Sequence, residues 1–138
     1  MANKVLVDTN IILDIFLKRE PFFDKSQHLV TEVVESGYIP HISSSSVTDL
    51  YYICKKSGMG KDVILEKLKK LLKAFEVLII DKVSINEAIS SGIIDFEDAV
   101  QIMAAKNEKI NLIITRNKKD FTNEWVEVQT PEEYLQLY

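Results

Sequence analysis

Cysteine, proline, glycine and histidine are all scarce in this 138-residue chain, at one, three, four and two residues, and its apolar runs are short. Each shortage excludes something. A lone Cys54 forms no internal disulfide and has no companion for a zinc site. Short apolar runs rule out a helix that spans a bilayer. No basic, apolar, small-residue leader precedes the first apolar segment, so nothing suggests export, and the expected location is the cytoplasm with no membrane partner. So few glycines and prolines point to regular elements joined by short connections. His28 and His41 have no recognisable nucleophile or carboxylate partner in sequence, so general-base work by histidine is not expected. Excess positive charge is missing too, the net charge being −4. That disfavours a nucleic-acid partner at first sight. Yet carboxylates gathered around divalent cations would lower the net charge without repelling a phosphate substrate. Charge alone does not decide the partner.

What is present is the balance of a folded globular protein, with 46% hydrophobic and 28% charged residues, and a length that suits a single domain over residues 1–138. Residues 4–7 read as a buried β-branched strand ending at Asp8. Helical spacing follows over 10–17 and 24–36, the second stopped by Gly37. Residues 38–42 read as a strand, and the serines at 43–46 offer N-caps for a helix reaching Lys56, broken by Gly58 and Gly60. From Lys61 to about Ala74 a helix is expected. Its apolar stripe is Ile64, Leu65, Leu68, Leu71, Leu72 and Phe75, with most lysines off it as a solvated or phosphate-contacting face. A third strand over 77–80, helices over 84–91 and 96–107, a fourth strand over 111–115 and a short fifth over 127–129 complete the pattern. Pro131 then opens a last helix running to the C-terminus. Strands alternating with helices predict a mainly parallel sheet covered on both faces.

Such sheets bind ligands beyond the carboxyl ends of their strands. Asp8 falls there, as a metal ligand, a phosphoryl acceptor or a helix cap. Asp49 lies near the first or second turn of the helix after the second strand, where a helix-dipole partner is the plainer reading. In Asp95-Phe96-Glu97-Asp98 the first residue suits an N-cap and the last the first turn. Three carboxylates in four residues nevertheless repel one another, a cost offset by a shared cation. After the fourth strand, Thr115, Asn117 and Asp120 offer oxygen ligands, while Arg116, Lys118 and Lys119 meet phosphates or solvent. Oxygen-only donors suit Mg²⁺ and Mn²⁺ over zinc. Such a site can orient a phosphodiester, activate a water and stabilise the departing oxygen, usually with two ions about 4 Å apart.

The segments VDTN at the first strand, ISSSSVTDL after the second, DFEDAVQIMAAK, and TRNKKDF after the fourth resemble the PIN-domain family from Val5 to about Val128. The last two together are similar to a bacterial subgroup. The resemblance implies an α/β fold, a three-layer α/β/α sandwich with a central, mainly parallel sheet of four to five strands. It also implies endoribonuclease activity dependent on Mg²⁺ or Mn²⁺. Many bacterial members are VapC-like toxins of toxin–antitoxin pairs, so an RNA substrate, an antitoxin protein and a homodimer are the implied partners. By position, Asp8 matches the first metal-binding acid and Asp98 the third. Asp49 matches the second, where the family more often has glutamate. Aspartate is one methylene shorter, so it reaches metal through water or requires the helix to move closer. Many members carry aspartate where this chain has Asn117. The carboxylate then comes from Asp120, or Asn117 binds metal or water through its neutral oxygen. Thr115 matches a polar residue that helps to position water, and Asp95 is a ligand or a cap.

Three functions compete. The favoured one is a metal-dependent endoribonuclease. Phosphoryl transfer through Asp8 is weakened because the second aspartate that haloacid-dehalogenase-like enzymes place two residues on is here Asn10. The third is a catalytically silent PIN fold that binds RNA or protein. Phe22, Phe23, Tyr51 and Tyr52 supply core or an association surface.

Overall fold

The computed structural model describes residues 3–136. At its centre lies β1 (Lys4–Val7). Val5 and Val7 enter one apolar core and Leu6 the other, all without exposed surface. A strand apolar on both faces is stable only where both are covered. β2 (Ile39–Ser43) and β4 (Leu112–Ile114) pair with it on either side, and β3 (Glu76–Leu78) and β5 (Glu127–Gln129) form the edges. The order is β3-β2-β1-β4-β5 and every pairing is parallel.

Parallel neighbours need long crossovers, and these carry the helices. The first face is covered by α1 (Thr9–Phe16), α2 (Phe23–Glu35), α3 (Ser44–Lys56) and α4 (Lys61–Ala74). α5 (Lys82–Ser90), α6 (Phe96–Asn107) and a 3-10 turn over Lys118–Phe121 cover the second, and α7 (Pro131–Leu135) returns to the first. The result is the expected three-layer α/β/α sandwich, with five strands. Its core is intolerant of charge. Ile113 is fully buried in β4, and Ile113→Asp would leave an unpaired carboxylate among apolar side chains. α6 is buried from Ala99 to Ala105, which fixes its acidic first turn at the carboxyl edge of the sheet. Among the described residues no helix is long and apolar enough to cross a membrane.

Most sequence-derived boundaries are met within a residue or two, and Gly37 ends α2 in the left-handed conformation, at φ +84°, where glycine carries no steric penalty. Four readings change. Leu65 and Leu72 are 45% and 42% exposed. α4 packs chiefly against α3 and β3, so the narrow line Ile64, Leu68, Leu71 and Phe75 meets the core. The third strand ends at Leu78 rather than Ile80, because Leu78 pairs with Ser43, the last residue of β2. The Ile80 N–H donates instead to Ser44 Oγ at 3.1 Å. Residues 118–121, read as loop, form the 3-10 turn. The last helix stops at Leu135, and residues 137–138 lie outside the described ones. Of the four aromatics, Tyr51 packs against the core and Tyr52 is 69% exposed. Phe22 lies beneath Arg116, whose guanidinium carbon is 3.8 Å from its ring centre.

Candidate active site

Strand order reverses between β1 and β4, and a parallel sheet opens its ligand crevice at that switch point. Asp8 is the first residue past β1 and Thr115 the first past β4. The Asp8 N–H donates to Ile114 O at 3.0 Å. Thr115 Oγ1 donates to Asp8 Oδ2 at 2.8 Å and accepts the Asn117 N–H at 3.0 Å. One hydroxyl thus fixes an Asp8 carboxylate oxygen and the loop after β4. Asp8 stands at the N-cap position of α1 but makes no side-chain capping bond. Asp81 and Asp95 do cap, accepting the N–H of Ser84 and Asp98, both at 2.9 Å. Asp8 is therefore a cap by position only.

The serine run positions the second acid. Ser43 caps α3 by accepting the Ser46 N–H. The buried Ser46 hydroxyl meets Ser43 Oγ at 2.7 Å and also pairs with Thr9 Oγ1, tying the starts of α3 and α1 together. Asp49 follows in the second turn of α3, half-buried. Asp95, Glu97 and Asp98 gather at the N-terminus of α6, where the helix dipole favours negative charge. Asn117 precedes the 3-10 turn and Asp120 lies in it, with the Asp120 N–H donating to Asn117 O at 2.9 Å.

Thr115 is buried behind the site rather than lining it. Asn117 lines one cavity of about 260 Å³ together with six carboxylates: Asp8, Asp49, Asp95, Glu97, Asp98 and Asp120. None of the described residues lining it is Lys, Arg or His. The electrostatic consequence is large. Burial, reinforced by Asp95, Asp8, Asp120 and Glu97, pushes the Asp98 carboxyl up to about 7. Burial also raises Asp8 against the Thr115 hydrogen bond, and burial followed by Asp49 raises Glu97. Acids so arranged hold protons near neutrality unless a cation replaces them.

The donor set fits a hard divalent cation. It is all oxygen, and it includes Gln101 Oε1, which is buried with no hydrogen-bond partner. Among the described residues, no three His, Cys, Asp or Glu side chains are grouped tightly enough to hold an ion as they stand.

The three cations of the TRNKKDF segment part company. Arg116 faces Asp14, donating from Nε at 2.9 Å and Nη2 at 3.2 Å, so its fork is not free for phosphate. Lys118 Nζ pairs with Glu133 at 2.9 Å. Lys119 has no ion pair among the described residues. Sequence reasoning counted Glu97 in its acidic run without giving it a role, and passed over Gln101. For Gln101 a signal existed, since it lies three residues after Asp98 and so on the same helix face.

The family model for the PIN domain matches residues 4–119. The chain belongs to the PIN-domain family. Over 142 aligned residues this PIN domain is 29% identical to Ribonuclease VapC1 of Aquifex aeolicus, covering 99% of this chain and 96% of that protein. Among solved structures it is similar to VapBC2 of Rickettsia felis bound to a DNA fragment from their promoter. The TM-score there is 0.73 at 19% identity, over 92% of this chain and 98% of that one. It is also similar to VapC20 of Mycobacterium tuberculosis, a Sarcin-Ricin-loop-cleaving toxin, with a TM-score of 0.64 at 10% identity over 79% and 86%.

Proposed function

We propose that this PIN domain is a divalent-metal-dependent endoribonuclease that hydrolyses RNA phosphodiester bonds, the toxin of a toxin–antitoxin pair acting in the cytoplasm. The observation that carries the reading is the cavity of six carboxylates, without an internal cation, at the switch point of the sheet. Family membership and the likeness to Ribonuclease VapC1 support RNA as substrate. The likeness to VapBC2 and to the toxin VapC20 supports the toxin role and a small protein partner.

Asp8 and Asp98 hold the principal Mg²⁺ or Mn²⁺. Asp49 completes the shell or orients water, and Asp95 offers the oxygen that its cap leaves free. Asp120 supplies the carboxylate that Asn117 lacks, and the Asn117 amide oxygen is a neutral donor beside it. The cation, when bound, neutralises these acids and supplies Lewis-acid activation for hydrolysis. Thr115 keeps the Asp8 carboxylate aimed through its 2.8 Å bond. Asp98 gives up its proton when a cation is held, because ligands must be deprotonated. Lys119 is free to meet a substrate phosphate.

The test incubates the protein with structured and single-stranded RNAs under Mn²⁺, Mg²⁺ or EDTA, beside the Asp8→Asn variant. Cutting with either metal, lost in EDTA and in a folded Asp8→Asn, is the expected result. Cutting that survives both treatments overturns it. RNA or partner binding without turnover under any metal points to the silent binding module instead.

A further inference from the structure

Beside the acidic cavity runs a wider trough of about 740 Å³, and the two share Asp95 and Asp120. One wall is the turn before α6, with Ile93 half-buried and Ile94 wholly exposed. The other is the connection from the 3-10 turn to β5, which contributes Lys119 and Trp125. Trp125 is 41% exposed and is the only tryptophan of the chain. Its placement is not casual. Asn123 Oδ1 accepts the N–H groups of Trp125 and Val126, both at 2.7 Å, and Asn123 Nδ2 donates to Phe121 O at 2.7 Å. Phe121 and Val126 are buried on either side, so the tryptophan backbone is clamped to the core.

Its chemistry selects the occupant. Three carboxylates, Asp95, Asp120 and Glu124, repel a bare anion. A large indole opposite isoleucine side chains welcomes a flat, uncharged aromatic ring. Lys119, without an ion pair among the described residues, gives that ring's phosphate a partner. Nucleic-acid bases are such rings, and proteins that hold unpaired strands combine aromatic platforms with cationic contacts. We propose that the trough is a base-binding subsite. The nucleotide next to the scissile phosphodiester stacks its base on Trp125 beside Ile94, with Lys119 at its phosphate. The inference rests on the nuclease reading and adds that the substrate is unpaired at this position, because a base within a duplex has both faces covered by its neighbours.

The lone tryptophan is its own probe. Full-length Asp8→Asn protein with Mg²⁺ is titrated with a short oligoadenylate, with a duplex of equal length and with inorganic polyphosphate, following tryptophan emission. Saturable quenching by oligoadenylate alone is expected. No change with oligoadenylate, or equal quenching by polyphosphate, overturns the subsite. So does emission that changes only with protein concentration, which would make the trough an interface between copies. In the active protein, Trp125→Ala should raise KM for unpaired RNA about tenfold or more while kcat stays within about twofold, and Trp125→Phe should restore most of the loss. An unraised KM in Trp125→Ala, with cutting intact, sinks the subsite and leaves the nuclease reading standing. Quenching by oligoadenylate in a chain whose wild type never cuts keeps the subsite and removes that reading.

Discussion

Two aspartates six residues apart, Asp8 and Asp14, are both withdrawn from solvent, at 6% and 0% exposure. Their company differs. Asp14 accepts Ser26 Oγ at 3.0 Å and both arms of Arg116, with Arg19 Nε at 3.8 Å. Asp8 has one neutral hydroxyl, from Thr115, and looks into a cavity of other acids. A buried carboxylate is expensive unless paired and hydrogen-bonded. At Asp14 the chain supplies the counter-charge and the residue is structural. At Asp8 it supplies no ion pair, Arg116 acting only from a distance, and on the proposed reading a cation from solution makes up the deficit. On that reading, burial does not separate a structural acid from a functional one; the source of the counter-charge does.

Asp8→Asn is the strongest test of that contrast. Cleavage should fall on the order of a thousandfold or more, since the substitution removes an anchoring ligand. The melting temperature of the metal-free protein should hold or rise, because a buried unpaired charge is gone. Asp14→Asn should do the reverse. It leaves Arg116 and Arg19 without their anion, so urea denaturation should report a loss of roughly 3 kcal/mol. A stable Asp14→Asn, or an Asp8→Asn that unfolds, would break the comparison.

The sequence makes one half of the contrast legible and hides the other. Asp8, Asp49 and Asp120 could be read because each follows a strand or lies in the element after it, where a parallel sheet gathers such ends, and Asp98 because it stands in an acidic run that opens a helix. α6 could be bounded at both ends, since its acids, alanines and C-terminal polar residues agree with one helix. The role of Arg116 could not be read. Its neighbours in sequence suggest a phosphate clamp, but its partner Asp14 is 102 positions away, and only the folded sheet brings them together. The same holds for Gln101, whose orphaned oxygen exists only by virtue of what fails to reach it. Leu65 and Leu72 show a third limit. Periodicity says which residues share a face, not how wide a neighbour covers it.

Weaker perturbations sharpen the contrast. Thr115→Val keeps the shape and removes the side-chain hydrogen bond on Asp8, so cleavage should drop about tenfold to a hundredfold with little loss of fold. Acidity should matter as well. With Asp98 at about 7 in the fold against 3.8 for a free aspartate, the native state holds a proton that the unfolded chain releases. This contribution to stability is fully present below about pH 4 and is lost as pH rises through 7. Metal-free protein should melt lower at pH 8 than at pH 5, with Asp8 and Glu97, raised likewise, adding in the same direction. Mg²⁺ or Mn²⁺ should restore the loss at pH 8, and Asp98→Asn should flatten the profile. A melting point that climbs from pH 5 to pH 8 without metal would contradict this.

The smallest expected effect is at Lys118, which extends the comparison to an ion pair on the surface. Its bond to Glu133 is as short as that of Arg116 to Asp14, at 2.9 Å. The side chains, however, are 49% and 32% exposed, against 21% and 0% for the buried pair. Water solvates both partners almost as well when they are apart, and holding a long lysine side chain in one geometry costs entropy. Glu133 also keeps its second task, since its carboxylate accepts the Thr130 N–H at 2.9 Å in the capping box of α7. Lys118→Ala should therefore shift the melting temperature by less than about 2 °C and leave KM for RNA within about twofold. A larger thermal loss would mean that exposed pairs support this fold as buried ones do. A raised KM at unchanged stability would return Lys118 to the substrate path.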